Sequence, residues 1–449
     1  MRASSWYEAG KSRLVSLYKE DIGMTLFPIV IVMVLYFSSI PIAFALIAAA
    51  LAYFTFASTG TPPDLILQRF ITSASSFPLL AVPFFIMVGE IMNYSGISES
   101  LMKMADVLTG HMKGGLAQVN VVLSTLMGGI SGSANADAAM QAKILVPEME
   151  KRGYGAAFST AITAASSAIA PVIPPGINLI IYALIAQVSV AKMFIGGYVP
   201  GILMCIALMI AVNIISRRRG YQPVREKMSP PKDIFLQLKE SIWALLLPFG
   251  IIMGIRFGVF TPTEAGAIAV LFCTIVGVFF YKQLKWEHLP IILKNTVYST
   301  SAVILIIVSA NVFGLYLSWE RIPHSLTQIL LNFSGSPWMM LAIINVFLLL
   351  MGMFLEGGAV LIIVAPLLVP VMRMMGLDMV HFGLILIVNI MIGGITPPFG
   401  SMMFTTCSIT KVPVGDFIKE VWPFIIALLV VLLIVTYIPS IVLFLPNLL

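Results

Sequence analysis

Apolar residues along this chain come in unbroken runs, such as 242–257 and 424–445, and several approach the length of about 20 residues that a helix needs to cross a bilayer. The runs do not alternate apolar with polar at period two, which excludes a membrane β-barrel. Polar residues instead gather in a few places. One is a basic stretch, SRRRGYQPVREKMSPPK at 216–232. Others are clusters of small polar residues, glycines and prolines inside apolar sequence: GGISGSANAD at 128–137 and APVIPPGINL at 170–179. FLEGGAV at 354–360 and GGITPPFGS at 393–401 recur later. The pattern predicts an all-α polytopic membrane protein whose helices break at defined points.

Sliding the sequence over itself by 223 positions aligns Pro147 with Pro370, Gly153 with Gly376, Pro174-Pro175 with Pro397-Pro398, and Pro200 with Pro423. Near the start, Pro28 and Pro41 match Pro248 and Pro262 at offsets of 220 and 221. With Pro only 27 of 449 residues, this shared register predicts two repeats, 24–215 and 241–449, joined by a basic cytoplasmic linker at 216–240. Internal repeats of this kind mark secondary transporters. Each half reads as two helices (24–57; 242–281), a third (77–93; 298–317) and a re-entrant hairpin (116–147; 338–373). A Pro-Pro-broken helix (157–190; 380–410) and a last helix (195–215; 421–446) follow. Five crossings per half is an odd number, so the repeats are inverted.

Charge tests the orientation, because cytoplasmic loops collect Lys and Arg. With the basic linker inside, sixteen of the 26 Lys and Arg fall on the cytoplasmic side and nine outside, Arg69, Arg321 and Arg373 among them; Lys143 lies in the first hairpin. At 59% hydrophobic and 10% charged, the formal charge of +6 reports topology and gives no reason to expect nucleic acid. Cys205, Cys273 and Cys407 stand singly in apolar sequence and read as packing residues. Residues 1–23 have no apolar core or cleavage site of a signal peptide; they read as an amphipathic helix on the lipid interface.

Non-helical backbone at membrane depth is tolerated where it is buried in protein or coordinates something. Pro174 and Pro175 supply no amide hydrogens, so the carbonyls of Ala170 and Pro171 lose their helical donors, and Pro397 and Pro398 do the same to Gly393 and Gly394. Freed carbonyls suit a hard cation such as Na⁺. Ser131, Gly132, Ser133 and Asn135 at the first tip, with Pro174 and Gly176 at the first break, form one expected Na⁺ site. Glu356 and Gly357, with Gly394, Thr396, Pro398 and Gly400, form the other. The half-helix N-termini favour an anion between them, and Asn135, Asp137, Ser166, Asn178, Glu356 and Ser401 are the candidate substrate contacts. Ionisable groups in a membrane are costly and usually functional. Asp137 stands open between such a role and capping the second hairpin arm. Glu264 reads as the partner of Thr261 in a capping box, and Glu90 as interfacial. Ser166 and Ser167 either face substrate or let helices approach closely.

Gly129-Ile130-Ser131-Gly132 fits the GxSG pattern of intramembrane serine proteases, whose histidine would have to be His381, the one histidine near a helix start. A protease is the weakest alternative; a stand-alone Na⁺/anion symporter is the other. No phosphate-binding loop, HExxH or Cys cluster supports ATP hydrolysis or a transition metal, so no catalytic residue, no organic cofactor and no metal other than Na⁺ is expected.

The motifs GGISGSANADAAMQAKILVPEMEKRGY, APVIPPGINLIIYALIAQVSVAKMFIGGYVPG, GVFTPTEAGAIAV, QLKW at 283–286, GMFLEGGAVLIIVAPLLVPV, HFGLILIVNIMIGGITPPFG and TYIPSIVLFLP carry a family resemblance. Together they resemble the large membrane subunit of tripartite ATP-independent periplasmic (TRAP) transporters, from about residue 24 to the C-terminus, the sialic-acid branch more than the C4-dicarboxylate branch. The resemblance implies Na⁺-coupled import of an organic anion across a bacterial inner membrane by an elevator mechanism. It implies a small four-helix membrane subunit and a periplasmic substrate-binding protein as partners. By position it puts ion coordination on the two tips and two breaks. Glu356 stands where many members have Asp, and the segment before residue 24 departs from the usual start; since some members fuse the two membrane subunits, it is open to reading as a fusion-linker remnant.

Overall fold

The computed structural model describes residues 27–57, 64–333 and 336–448; the expected interfacial segment 1–23 lies outside them. All regular structure among the described residues is helical. The first half runs α1 (Phe27–Phe37), α2 (Ile42–Ala52), α3 (Asp64–Ala74), α4 (Ala81–Tyr94), α5 (Ile97–Thr109), α6 (Gly115–Ser131), α7 (Ala134–Lys151), α8 (Ala156–Ser167), α9 (Ile177–Ala186) and α10 (Val190–Arg219). The second runs α11 (Pro231–Arg256), α12 (Pro262–Ile275), α13 (Leu289–Trp319), α14 (Ile322–Phe333), α15 (Pro337–Phe354), α16 (Gly357–Met374), α17 (Met379–Gly393), α18 (Ser401–Thr410), α19 (Val414–Tyr437) and the short α20 (Pro439–Leu443). From α5 and α14 onward the two halves repeat one order: a short helix, a hairpin, a broken helix and a long last helix.

Local chemistry sets many of these ends. Thr261 accepts from the Glu264 N–H at 3.3 Å while the Glu264 carboxylate takes the Thr261 N–H at 2.8 Å, the reciprocal box expected of TPTE. Ser133 opens α7 by accepting from the Ala136 N–H. Gly132, between the hairpin arms, has φ +57°, a left-handed backbone that favours glycine. The Pro174-Pro175 and Pro397-Pro398 bonds are both cis. Exposed Ile202, Ile206, Ile210 and Ile214 recur every fourth residue on α10, an apolar stripe fit for hydrocarbon.

The helices form two bundles. In the frame, α13 packs on α2, α3 and α4, and α12 on α4 and α11. In the core bundle the halves interlock: α7 packs on α8 and on α18 of the other repeat, α16 on α17 and on α9, and α10 lies against α19. Helices α5 and α14 bridge them, α5 resting on α6 and α11 and α14 on α13 and α16.

Three features differ from the expected layout. The third helix of the second half begins at Leu289 rather than 298; one 31-residue helix covers ground that α3 and α4 share in the first half. The linker narrows to 220–230, because α10 continues through Arg219 and Pro230 caps α11. Helices α5 and α14 were not expected at all, being too polar to read as spans.

Candidate functional site

At the first tip, Gly132 lies against the first break: a Cβ on it would meet the Ile177 backbone N at 3.1 Å. One turn earlier a Cβ on Gly128 would stand 3.1 Å from the Ala170 carbonyl oxygen. Tip and break are thus one structure. The connecting backbone also crowds α10, where a Cβ at Gly197 would meet the Val172 carbonyl at 2.3 Å. Among the described residues no backbone N–H reaches the carbonyls of Ala170 or Pro171, as the Pro-Pro argument requires.

Below the tip lies a buried polar cluster. Asp137 is 1% exposed, and its Oδ2 accepts from the Ser124 hydroxyl and the Gln141 amide, both at 2.8 Å. Gln141 also donates to Ser124 at 2.6 Å. Farther along α6, Asn120 donates to Thr163 and accepts from Ser166, both at 2.7 Å, which sews α6 to α8. Three acceptor oxygens remain buried without a donor: Asn135 Oδ1, Asp137 Oδ1 and Gln141 Oε1. Such orphans cost about 1–3 kcal/mol each unless a cation or water meets them.

The second site differs. Thr396 N donates to the Gly393 carbonyl at 2.9 Å, and Met402 N to the Gly394 carbonyl at 3.0 Å. The expectation that both carbonyls stand free is therefore corrected: the chain turns tightly before Pro397, and α18 folds its first turn back over Gly394. The Thr396 hydroxyl donates to Ile392 O at 2.7 Å. Glu356 precedes α16 and is exposed, with Oε2 3.4 Å from where a Gly358 Cβ would be. Tip and break meet here through Phe354 and Phe399, ring centroids 5.5 Å apart, and through glycine contact, Gly352 against Gly393. Asn389 donates to Asn345 Oδ1 at 2.8 Å and Asn345 to Thr436 at 3.0 Å, tying α15 to α17 and α19.

A cavity of about 790 Å³ lies between frame and core, walled by α4, α5 and α13 on one side and by α6, α7 and the start of α9 on the other. Ser133, Asp137, Gln141 and Lys143 face it across from Glu90 and Asn93. Its Glu99–Gln283 edge adjoins Lys103, on the end expected to face the cytoplasm.

Of the remaining candidates, Ser166 is fully buried in the α6–α8 contact, Asn178 is buried in the first turn of α9, and Ser401 is half-buried at the start of α18. Asn135 is half-buried beside Ser133. The Ser131 side chain lies outside the described ones. Ser124, Gln141 and Asn120 were missed; the i, i+4 spacing of Asp137 and Gln141 on one helix was the available signal. His381 Nε2 donates to Val435 O at 2.8 Å, which engages the histidine a GxSG protease would need.

Membrane-length apolar helices around two broken segments and a central cavity define a multi-pass membrane transporter. Residues 29–441 match the family described as "Tripartite ATP-independent periplasmic transporter, DctM component", and the chain belongs to that family. It is an inner-membrane large-permease chain. It is 37% identical over 414 residues to the sialic acid TRAP transporter large permease protein SiaM of Vibrio cholerae, covering 92% of this chain and 96% of that one. It is 36% identical over 384 residues to the C4-dicarboxylate TRAP transporter large permease protein DctM of Pseudomonas aeruginosa, covering 86% and 89%. These relatives are permeases, not enzymes. Among solved structures, the Alcanivorax borkumensis YdaH transporter is similar in fold, with a TM-score of 0.61 over 91% of this chain and 98% of that one at 13% identity.

Proposed function

We propose that this permease imports a small organic anion, sialic acid before a C4-dicarboxylate, driven by Na⁺ and delivered by a periplasmic binding protein. A small four-helix membrane subunit completes the assembly, and the core bundle moves against the frame as an elevator. The observation that carries the reading is the set of buried acceptors without donors at the first tip and break: Asn135 Oδ1, Asp137 Oδ1, and the Ala170 and Pro171 carbonyls. Oxygen acceptors of this kind match the chemistry of a hard monovalent cation. Asn135, Asp137 and the first-break carbonyls would hold Na⁺, whose charge would favour a carboxylate in the adjoining cavity. At the second site Glu356 and the Pro398–Gly400 turn are the corresponding ligands. Sialic acid ranks first because the sialic-acid permease aligns over more of the chain. The cavity's edge at Glu99 and Gln283 supports an inward-open state.

The test is uptake of labelled N-acetylneuraminate into proteoliposomes, with and without an inward Na⁺ gradient, the small subunit and the binding protein. Accumulation is expected only with all three. Uptake without either partner sinks the tripartite reading in favour of a stand-alone symporter; uptake indifferent to Na⁺ sinks the cation sites.

A further inference from the structure

A second cleft opens at the other end of the frame–core boundary. It encloses about 480 Å³ between α3 and α13 of the frame and the C-terminal end of α9 with α16 of the core. Arg69 enters it from the frame and Arg373 from the core, with Gln187, Asn311 and Ser318 between them. Arg69, Gln187 and Asn311 also line an adjoining hollow with Thr72 and Ser73. Among the described residues neither arginine has a carboxylate partner. Asp378, five residues from Arg373, accepts from the His381 N–H at 2.9 Å; Asp64, five residues before Arg69, forms no ion pair with it among the described residues, and Glu320, one residue past α13, accepts from the Tyr53 hydroxyl. Arg373 is held in place by donating one Nη2 hydrogen to the Ala186 carbonyl at 2.7 Å, at the C-terminal end of α9. Its guanidinium keeps further donors for a ligand.

The two cavities share their walls. Helix α9 gives Ile177 to the inner cavity and Ile185 to this cleft; α13 gives Val303 to the first and Ala310 to the second. Along α13, Val303 and Ala310 stand about 10 Å apart at 1.5 Å per helical residue; Val308 and Ser309 between them are buried, and Ile307 lines the adjoining hollow. Two guanidiniums without a carboxylate partner among the described residues, one on each side of a joint and beside amides and hydroxyls, are suited to a small hydroxylated carboxylate, which Arg can grip in bidentate fashion.

We propose that this outer cleft is a second anion site, where a carboxylate is held between Arg69 and Arg373 before it reaches the inner cavity. The proposal rests on the reading of the chain as an importer of organic anions. The site bridges frame and core, so the bound carboxylate couples arrival of substrate to their relative position.

The test is thiol labelling, which needs no turnover. Ser318→Cys is introduced into the full chain, whose own Cys205, Cys273 and Cys407 are all buried. The protein is reconstituted in phosphatidylcholine vesicles and labelled with an anionic or a cationic methanethiosulfonate. The ratio of anionic to cationic rates is expected to fall about threefold with Arg69→Gln or with Arg373→Gln, and about tenfold with both, while Arg69→Lys keeps it. Millimolar N-acetylneuraminate or succinate is expected to slow labelling in the parent and not in the double variant. A ratio indifferent to both substitutions overturns the proposal. Protection by phosphatidylglycerol in the vesicles, but by neither carboxylate, also overturns it and assigns the cleft to a lipid headgroup. Protection by a carboxylate in a chain that fails Na⁺-driven uptake upholds the site and sinks the import reading instead.

Discussion

The two Pro-Pro breaks share one sequence register but treat their carbonyls differently. At the first, no backbone N–H among the described residues reaches the carbonyls of Ala170 and Pro171, and Ala170 O lies against Gly128, one turn before the tip. At the second, Gly393 and Gly394 are both satisfied by backbone donors, and the acid of that tip, Glu356, is exposed where Asp137 of the first is 1% exposed. Duplication preserved the break while letting each copy settle its backbone accounts in its own way. The first copy has unmet acceptors in a buried hydrogen-bonded cluster; the second has an exposed carboxylate beside a self-satisfied turn.

Substitutions at matched positions test this contrast. The largest effect is expected from Asp137→Ala, which strips Ser124 and Gln141 of a shared acceptor and, on the proposed reading, removes an ion ligand. Na⁺-driven uptake should drop on the order of 100-fold, with about 2 kcal/mol lost from stability by thermal unfolding. Glu356→Ala should lower uptake by about tenfold or less and leave stability within about 0.5 kcal/mol. Equal losses at both positions would erase the distinction.

Next in size is Gly393→Ala. Its Cβ would sit 2.6 Å from Gly352 Cα, against backbone that no rotamer can relieve, so about 1–3 kcal/mol of destabilisation is expected. Gly314→Ala, whose Cβ would meet its nearest neighbour at 3.8 Å, is the tolerant control in the same scan. Thr396→Ala should be smaller still, within about 0.5 kcal/mol and with unaltered Na⁺ dependence, because that hydroxyl already bonds its own helix. A marked change in Na⁺ dependence would make Thr396 an ion ligand after all.

The smallest effect concerns pH at the inner edge of the cavity. The Lys103 ammonium and then the Gln283 amide hold the Glu99 carboxyl below its ordinary value of 4.5. A lowered carboxyl contributes stability that is complete above the ordinary value and is lost as pH falls through the lowered one. Melting curves of the parent and Glu99→Gln should therefore differ slightly at neutral pH and converge in strong acid. Divergence toward acid would contradict the Glu99–Gln283 tie.

Much of the architecture was readable because proline and glycine mark backbone events that composition cannot hide. Pro147, Pro174, Pro175 and Pro200 carry the repeat register by themselves, and the capping box at Thr261 and Glu264 followed from four letters. Helices α5 and α14 escaped because their apolar residues, such as Ile97, Leu101 and Met104, recur at helical spacing within sequence too polar to be a span. The fate of the Gly393 and Gly394 carbonyls was not readable either. It depends on where Met402 lands after the turn, and no local propensity fixes that. The Asp137–Ser124–Gln141 cluster falls between these cases: Asp137 and Gln141 share a helix face by spacing, but Ser124 joins them only when α6 and α7 fold together.

The connector at 220–230 behaves as a leash with two anchor points. Tyr221 and Gln222 hold the core, the first through its hydroxyl to Gly155 N at 3.2 Å and the second through its carbonyl to the Tyr154 hydroxyl at 3.0 Å. Val224 and Arg225 hold α5, through Val224 N to the Gly110 carbonyl at 2.8 Å and through the Arg225–Asp106 ion pair. A single residue, Pro223, separates the anchors, and one residue spans about 3.5 Å at full stretch. On the proposed elevator movement, any larger slip of the core past α5 would first have to peel one anchor away. Once it is peeled, the eleven residues between α10 and α11 reach roughly 38 Å. On that proposed movement, the leash would therefore set a threshold for starting the slide and, once released, a ceiling far beyond it.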